Sequence, residues 1–162
     1  MAIVTFRVNH LKVSGSRGAG RAVQYLTREG PYAPKPAQVA YLTRTSQATA
    51  DRDDLVHQEA ANLPAWAHVD AAGFFARAEQ HERANGRWGT TWQLALPKEL
   101  ARDEQLSLAR DFLAVHLQAH PYLWVMHDPV NAAGEHQPHI HVLFSERTND
   151  VLERKGPGDY FK

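Results

Sequence analysis

Residues 122–145 constrain the fold more than any other part of the chain. Tyr122 to His127 (YLWVMH) is an unbroken apolar and aromatic run that ends in a histidine. His139 to Ser145 (HIHVLFS) is a second such run, and it opens with a histidine pair. Between them, Asp128 to Gln137 contains Asn131 and Gly134, residues suited to turns. The pattern predicts two antiparallel strands joined by a hairpin loop. Side chains alternate across a strand, so His139 and His141 share one face and Ile140 takes the other. Two strand residues span about 6.5–7 Å and neighbouring strands lie about 4.8 Å apart. Antiparallel pairing therefore brings His127 to the hairpin mouth near His139, where three imidazole nitrogens can converge on one ion.

Three neutral imidazoles leave coordination positions open, as a catalytic metal site requires. A solitary histidine is ordinarily a solvated or core residue, but a pair at i, i+2 with a third on the partner strand is harder to account for in that way. Nitrogen donors suit zinc, iron, copper or nickel, whereas oxygen ligands from a phosphate substrate suit magnesium or manganese. His136 reads as a loop residue. His10, His57, His68, His81, His116 and His120 lack informative spacing and read as surface or packing residues.

The rest of the chain predicts an α+β fold. Ala2 to Asn9 alternates and reads as a first strand, followed by the glycine-rich segment KVSGSRGAG. A helix is expected over 17–29, stopped by Gly30 and Pro31. Residues 31–49, with Pro31, Pro34 and Pro36, are irregular. Helices are expected over 51–61, from its acidic start, and over 70–84, before Asn85-Gly86. Trp88 to Leu96 reads as a strand that stops at Pro97, and the apolar spacing over 100–118 predicts another helix.

With 162 residues, the chain is long enough for one domain with a substantial core. Without cysteine, disulfides, thiolate metal sites and cysteine nucleophiles are excluded, and a reducing cytoplasm fits. No apolar run has membrane-spanning length, and the start lacks a signal-peptide layout, so no membrane insertion is expected. The formal charge is zero but segregated: residues 1–44 hold seven basic groups and one acid, residues 45–162 eleven and seventeen. This asymmetry permits a basic footprint on a neutral molecule, unless folding interleaves the two regions.

Covalent chemistry without cysteine falls to Ser, Thr, Tyr, Lys, His or a carboxylate. The basic segment contains Tyr25, within RAVQYLTR. Phenol has a pKa of about 10, so about one tyrosine in a thousand is ionised at neutral pH. A nearby cation or arginine raises that fraction and neutralises a phosphate under attack. The residues alone do not choose between Tyr25 and Tyr32, and either also reads as a packing aromatic.

Several motifs occur in order: Gly15-Ser-Arg-Gly-Ala-Gly20 leading to Gln24-Tyr25, Arg28-Glu-Gly-Pro-Tyr32, Glu82-Arg-Ala-Asn-Gly-Arg87, Ala95-Leu-Pro97, Pro138-His-Ile-His141, Ser145-Glu-Arg147, Asn149-Asp150 and Glu153-Arg154. Together they resemble the MobA/MobL-type plasmid mobilisation relaxases of the MobQ class, within the HUH endonuclease superfamily. The resemblance covers nearly the whole chain. It implies a five-stranded antiparallel sheet with helices packed on its outer face. It implies that His127, His139 and His141 hold a divalent metal, Mn2+ or Mg2+, with Zn2+ as an alternative. It also implies that Tyr25 attacks one phosphodiester at a transfer origin, giving a 5′-phosphotyrosyl adduct and a 3′ hydroxyl. One ester replaces another, so the step is reversible and allows later resealing.

The sequence departs from the family at one place. Acidic residues belong on the strand before Ala-Leu-Pro, and here Thr91 and Gln93 stand there. A carboxylate at such a position orients a ligand histidine or accepts a proton, and glutamine cannot act as a base at neutral pH.

Lys12, Arg17, Arg21 and Arg28 are candidate DNA-phosphate contacts, and Trp88 or Trp92 either stacks on an unpaired base or packs in the core. Single-stranded or extruded origin DNA is the expected substrate. Accessory relaxosome proteins and a type IV secretion coupling protein are the expected partners. The whole 162-residue span is expected to be one nicking domain at the N-terminal end of a longer protein. Competing readings are an HUH replication initiator or transposase, a three-histidine metalloenzyme acting on small molecules, and a DNA-binding module without catalysis.

Overall fold

The computed structural model describes residues 6–12, 23, 26, 54–67, 70–149 and 154–161. Strand β1 is Phe6–Lys12, β2 Leu55–Ala61, β3 Arg87–Ala95, β4 Tyr122–His127 and β5 His139–Phe144. Helix α1 is Ala71–His81, α2 Arg102–Leu117 and α3 Pro157–Tyr160, and a 3-10 turn covers Ala65–Ala67. The five strands form one sheet in the order β1-β3-β5-β4-β2, and every pairing is antiparallel. The expected five-stranded antiparallel sheet is therefore present.

Every residue of β4 is buried. That explains its unbroken apolar run, because a central strand covered on both faces has no solvated side to alternate with. Phe74, Phe75, Leu123, Val125, Leu143, Tyr160 and Phe161 build the core on one face, joined by the helical residues Val23 and Leu26. Leu113, Leu117, Trp124, Met126, Ile140 and Val142 build the core on the other, under α2. Helices thus stand on both faces of the sheet. Among the described residues, no helix is long and apolar enough to cross a membrane.

The helices end where local chemistry dictates. The Asp70 side chain accepts the Gly73 amide at 3.0 Å and caps α1. In α2, Glu104 reaches back to the Ala101 amide at 2.8 Å, and Asp103 and Glu104 sit in the positively polarised first turn.

One expected element is corrected: 55–61 is a strand and not part of a helix over 51–61. Its Gln, Glu and Ala residues suit a helix locally. However, β4 has an open edge of amides and carbonyls, and β2 satisfies them from Leu55↔His127 to Ala61↔Tyr122. Tertiary hydrogen bonding overrides local propensity here.

Trp88 is also settled. It is a core residue with 1% exposure, which excludes base stacking by its ring. The register shift between Leu11 and Lys12 skips Trp88, turning it onto the α1 face. Gly89 follows because a Cβ there would lie 3.1 Å from Leu143 and 3.4 Å from the Phe144 carbonyl oxygen. Trp92 packs on the opposite face against Phe6, Phe112 and Phe144.

Candidate metal centre

The hairpin loop over 128–138 sets the register of β4 against β5. Asn131 Oδ1 accepts the amides of Ala133 and Glu135, and Gly134 adopts φ +78°, a conformation that strains any residue with a Cβ. The resulting register pairs His127 with His139 and Val125 with His141. Directly opposite residues point to the same side, so all three histidines share the face that carries Val125 and Leu143.

The three rings form a compact triangle. Their centroids are separated by 5.7 Å for His127–His139, 5.5 Å for His127–His141 and 5.0 Å for His139–His141. Imidazoles that bind one ion at about 2.1 Å have centroids about 5 Å apart at near-tetrahedral angles. The observed triangle is at or slightly above that size. Among the described residues no group of three donors is already drawn together at coordination spacing; the rings frame a centre and do not close it.

The donor chemistry fits a metal more specifically than the spacing does. His127 Nδ1 lies 2.9 Å from Asp54 Oδ1, and both side chains are buried, at 1% and 6% exposure. The carboxylate accepts the Nδ1 proton, the tautomer in which the lone pair is on Nε2. His139 Nδ1 lies 2.9 Å from the Gln137 carbonyl oxygen, which can only accept, so its lone pair is also on Nε2. Fixing a ligand histidine through its other nitrogen is how proteins orient metal-binding imidazoles and raise their basicity.

Asp54 escapes sequence reading because it is 73 residues from His127 and lies in a segment expected to be helical. Its carbonyl also accepts the Asp128 amide at 2.8 Å, so the carboxylate is tied to the end of β4 at two points. Asp128 holds His136 Nδ1 at 2.9 Å and Arg102 at 2.7 Å, so His136 is held in the hairpin loop.

Gln93 lies opposite His141 in the β3–β5 register, on the histidine face. Thr91 is two residues further along, opposite Leu143. Lys12 is exposed at the far end of β1, about 17 Å along the strand from the position level with His141. Tyr25, Tyr32, Arg17, Arg21 and Arg28 lie outside the described residues. His10, His57 and His120 are held by Thr90, Glu59 and the Ser145 carbonyl respectively, as packing and surface residues are.

Away from the histidines, a half-buried ion pair closes the α1 face. Arg147 donates from Nε and NH2 to the two Glu82 oxygens at 2.9 Å, and from NH2 to the Phe161 carbonyl at 2.9 Å. Burial alone would raise the Glu82 carboxyl. The hydrogen bonds from Arg147 and the Arg83 amide, with the arginine charges, outweigh burial and hold it below its ordinary value.

Residues 38–158 match the sequence model of the MobA/MobL family. The chain belongs to that family. The 43 kDa relaxation protein of Salmonella typhimurium is 37% identical to this MobA/MobL member over 154 residues, covering 94% of the chain. Mobilization protein A of Escherichia coli is 35% identical over 144 residues, covering 87%. The conjugal transfer protein TraA of Agrobacterium fabrum (strain C58 / ATCC 33970) is 32% identical, covering 82%. The chain spans only 37%, 17% and 13% of the lengths of these relatives. A solved structure described as the molecular basis of vancomycin resistance transfer in Staphylococcus aureus superposes with a TM-score of 0.67. The superposition covers 99% of this chain and 81% of that one at 16% identity, a likeness of fold.

Proposed function

We propose that this MobA/MobL chain is the nicking domain of a plasmid mobilisation relaxase. It cuts one DNA strand at a transfer origin through a tyrosine adduct and later reseals it. The observation that carries the reading is the histidine triangle, with the Nδ1 atoms of His127 and His139 engaged by Asp54 and the Gln137 carbonyl. The named relatives, a relaxation protein and a mobilization protein, support the biological setting.

In this reading His127, His139 and His141 hold a divalent cation, Mn2+ or Mg2+ once phosphate oxygens complete the shell, or Zn2+ from the nitrogen donors. When bound, the cation supplies charge neutralisation and polarisation at the scissile phosphate. Asp54 keeps His127 in the required tautomer. Tyr25 is the nucleophile: its oxygen forms a bond to phosphorus, the bond from phosphorus to the 3′ oxygen breaks, the phenol loses a proton and the 3′ oxygen gains one. Val23 and Leu26, which flank Tyr25 in sequence, are buried in the core on the histidine face, which supports its assignment over Tyr32. Gln93, beside His141, is not a base, so the phenol proton is not passed to that position. The partners are single-stranded or extruded origin DNA, accessory relaxosome proteins and a type IV secretion coupling protein, and the site of action is the bacterial cytoplasm. By comparison with its longer relatives, the chain is one nicking domain of a larger protein.

The test uses single-stranded oligonucleotides tiling both strands of the whole DNA element that carries the coding sequence, incubated with Mn2+ and resolved on a denaturing gel. A covalent protein–DNA band is expected from the wild type and not from Tyr25→Phe. Loss of the band in Tyr32→Phe with retention in Tyr25→Phe would refute the nucleophile, and no band from any strand would refute the reaction.

A further inference from the structure

One register row crosses the histidine face from the sheet edge to its centre. Arg7 pairs with Gln93, Gln93 pairs with His141, and His141 pairs with Val125. Opposite residues project to the same side, so Arg7 shares the face of the three histidines. An independent contact agrees: Leu11, which alternation places on the same side of β1 as Arg7, packs against the core of that face. Phe6, on the other side, packs against Trp92. Two strand spacings put the Arg7 Cα about 9.5 Å from that of His141, a gap that a long arginine side chain largely covers.

Arg87, Arg102, Arg110 and Arg147 are each ion-paired with a carboxylate. Arg7 is exposed on the edge strand, and among the described residues its guanidinium has no carboxylate partner. Its neighbour across the strands, Gln93, is neutral. A cation left unpaired at the rim of a phosphate-processing face, with neutral residues between, is placed to bind a backbone phosphate bidentately.

We infer that Arg7 grips a phosphate of the DNA strand, next to or near the scissile one, and so sets where the strand crosses β3 and β5. It is a positioning residue, and the inference rests on the relaxase reading above.

The test takes the tiling oligonucleotide that the wild type converts to an adduct and measures its binding in a Tyr25→Phe background across a salt series. Each phosphate contact to a single strand contributes about 0.7 to the slope of log affinity against log salt. Arg7→Gln is expected to make the slope shallower by about 0.7 and to weaken binding about tenfold. Arg7→Lys is expected to keep the slope. In the Arg7-containing protein, methylphosphonate substitution scanned outward from the cut site should reproduce the loss at one linkage. At that linkage Arg7→Gln should show no additional loss. This scan also answers the question if Arg7→Gln folds poorly. Unchanged slope and affinity in Arg7→Gln, or no sensitive linkage near the cut, overturns the assignment while leaving the relaxase reading intact. If the wild type forms no adduct with any strand, both proposals fall.

Discussion

Asp54 Oδ1 and His127 Nδ1 meet at 2.9 Å in the interior, 73 residues apart in sequence, and this contact orients the most buried of the three histidines. Asp54→Ala would leave a buried imidazole N–H without an acceptor, at a cost of about 1–3 kcal/mol. It would also free the ring to change tautomer, lowering metal affinity about 10–100-fold. Asp54→Asn keeps an acceptor oxygen and should lose less of both. Mn2+ titration calorimetry and thermal melting of the two variants check this; equal affinity in all three proteins would refute the role.

His139 and His141 are only half-buried, so their loss should spare the fold. Without metal, His139→Ala and His141→Ala should melt close to the wild type. With cation at 100 times its dissociation constant, the wild type should gain about 2.7 kcal/mol. For a chain of this size that is a rise of about 5–10 °C. Either variant should show little of that rise.

Glu82 gives the fold an acid-sensitive component. Its carboxyl is held below the ordinary value of 4.5, because Arg147 and the Arg83 amide outweigh burial. A depressed folded pKa means that the stabilisation is present above pH 4.5 and is lost as pH falls through the folded value. Glu82→Gln should therefore be less stable than wild type at pH 7, by about 1–2 kcal/mol. The two should converge as acid protonates Glu82. Glu59, lowered by His57 and Arg110 against the effect of burial, adds a smaller, better-screened component in the same range. Urea unfolding at a series of pH values reads this out.

Phe161 and Tyr160, each 1% exposed, fill the α1 face beside Phe74 and Trp66. Phe161→Ala should cost about 3–5 kcal/mol through lost burial and a residual cavity. Ending the chain after Gly156 should cost more, because it removes both rings and one acceptor of Arg147. A shift in the urea midpoint with an unchanged slope would support this account of Phe161→Ala.

The placement of the three histidines was legible in the sequence because it depends on short-range geometry. Strand alternation alone puts His139 and His141 on one face, and the Asn131–Gly134 turn alone brings His127 to meet them. The helices over 71–81 and 102–117 were also legible, the first through the Asn85-Gly86 stop and the second through its apolar spacing.

Only the tertiary structure decided what depends on pairing between distant segments. Residues 55–61 have helix-forming composition, yet the open edge of β4 makes them a strand. That strand delivers Asp54 to His127. The Arg7–Gln93–His141 row arises from strand register across segments dozens of residues apart, and a one-residue slip would turn Arg7 to the opposite face. Local sequence specifies which way a side chain points along its own strand. Which neighbours it then faces is set by the burial of two cores and the saturation of backbone hydrogen bonds, and those are properties of the whole sheet.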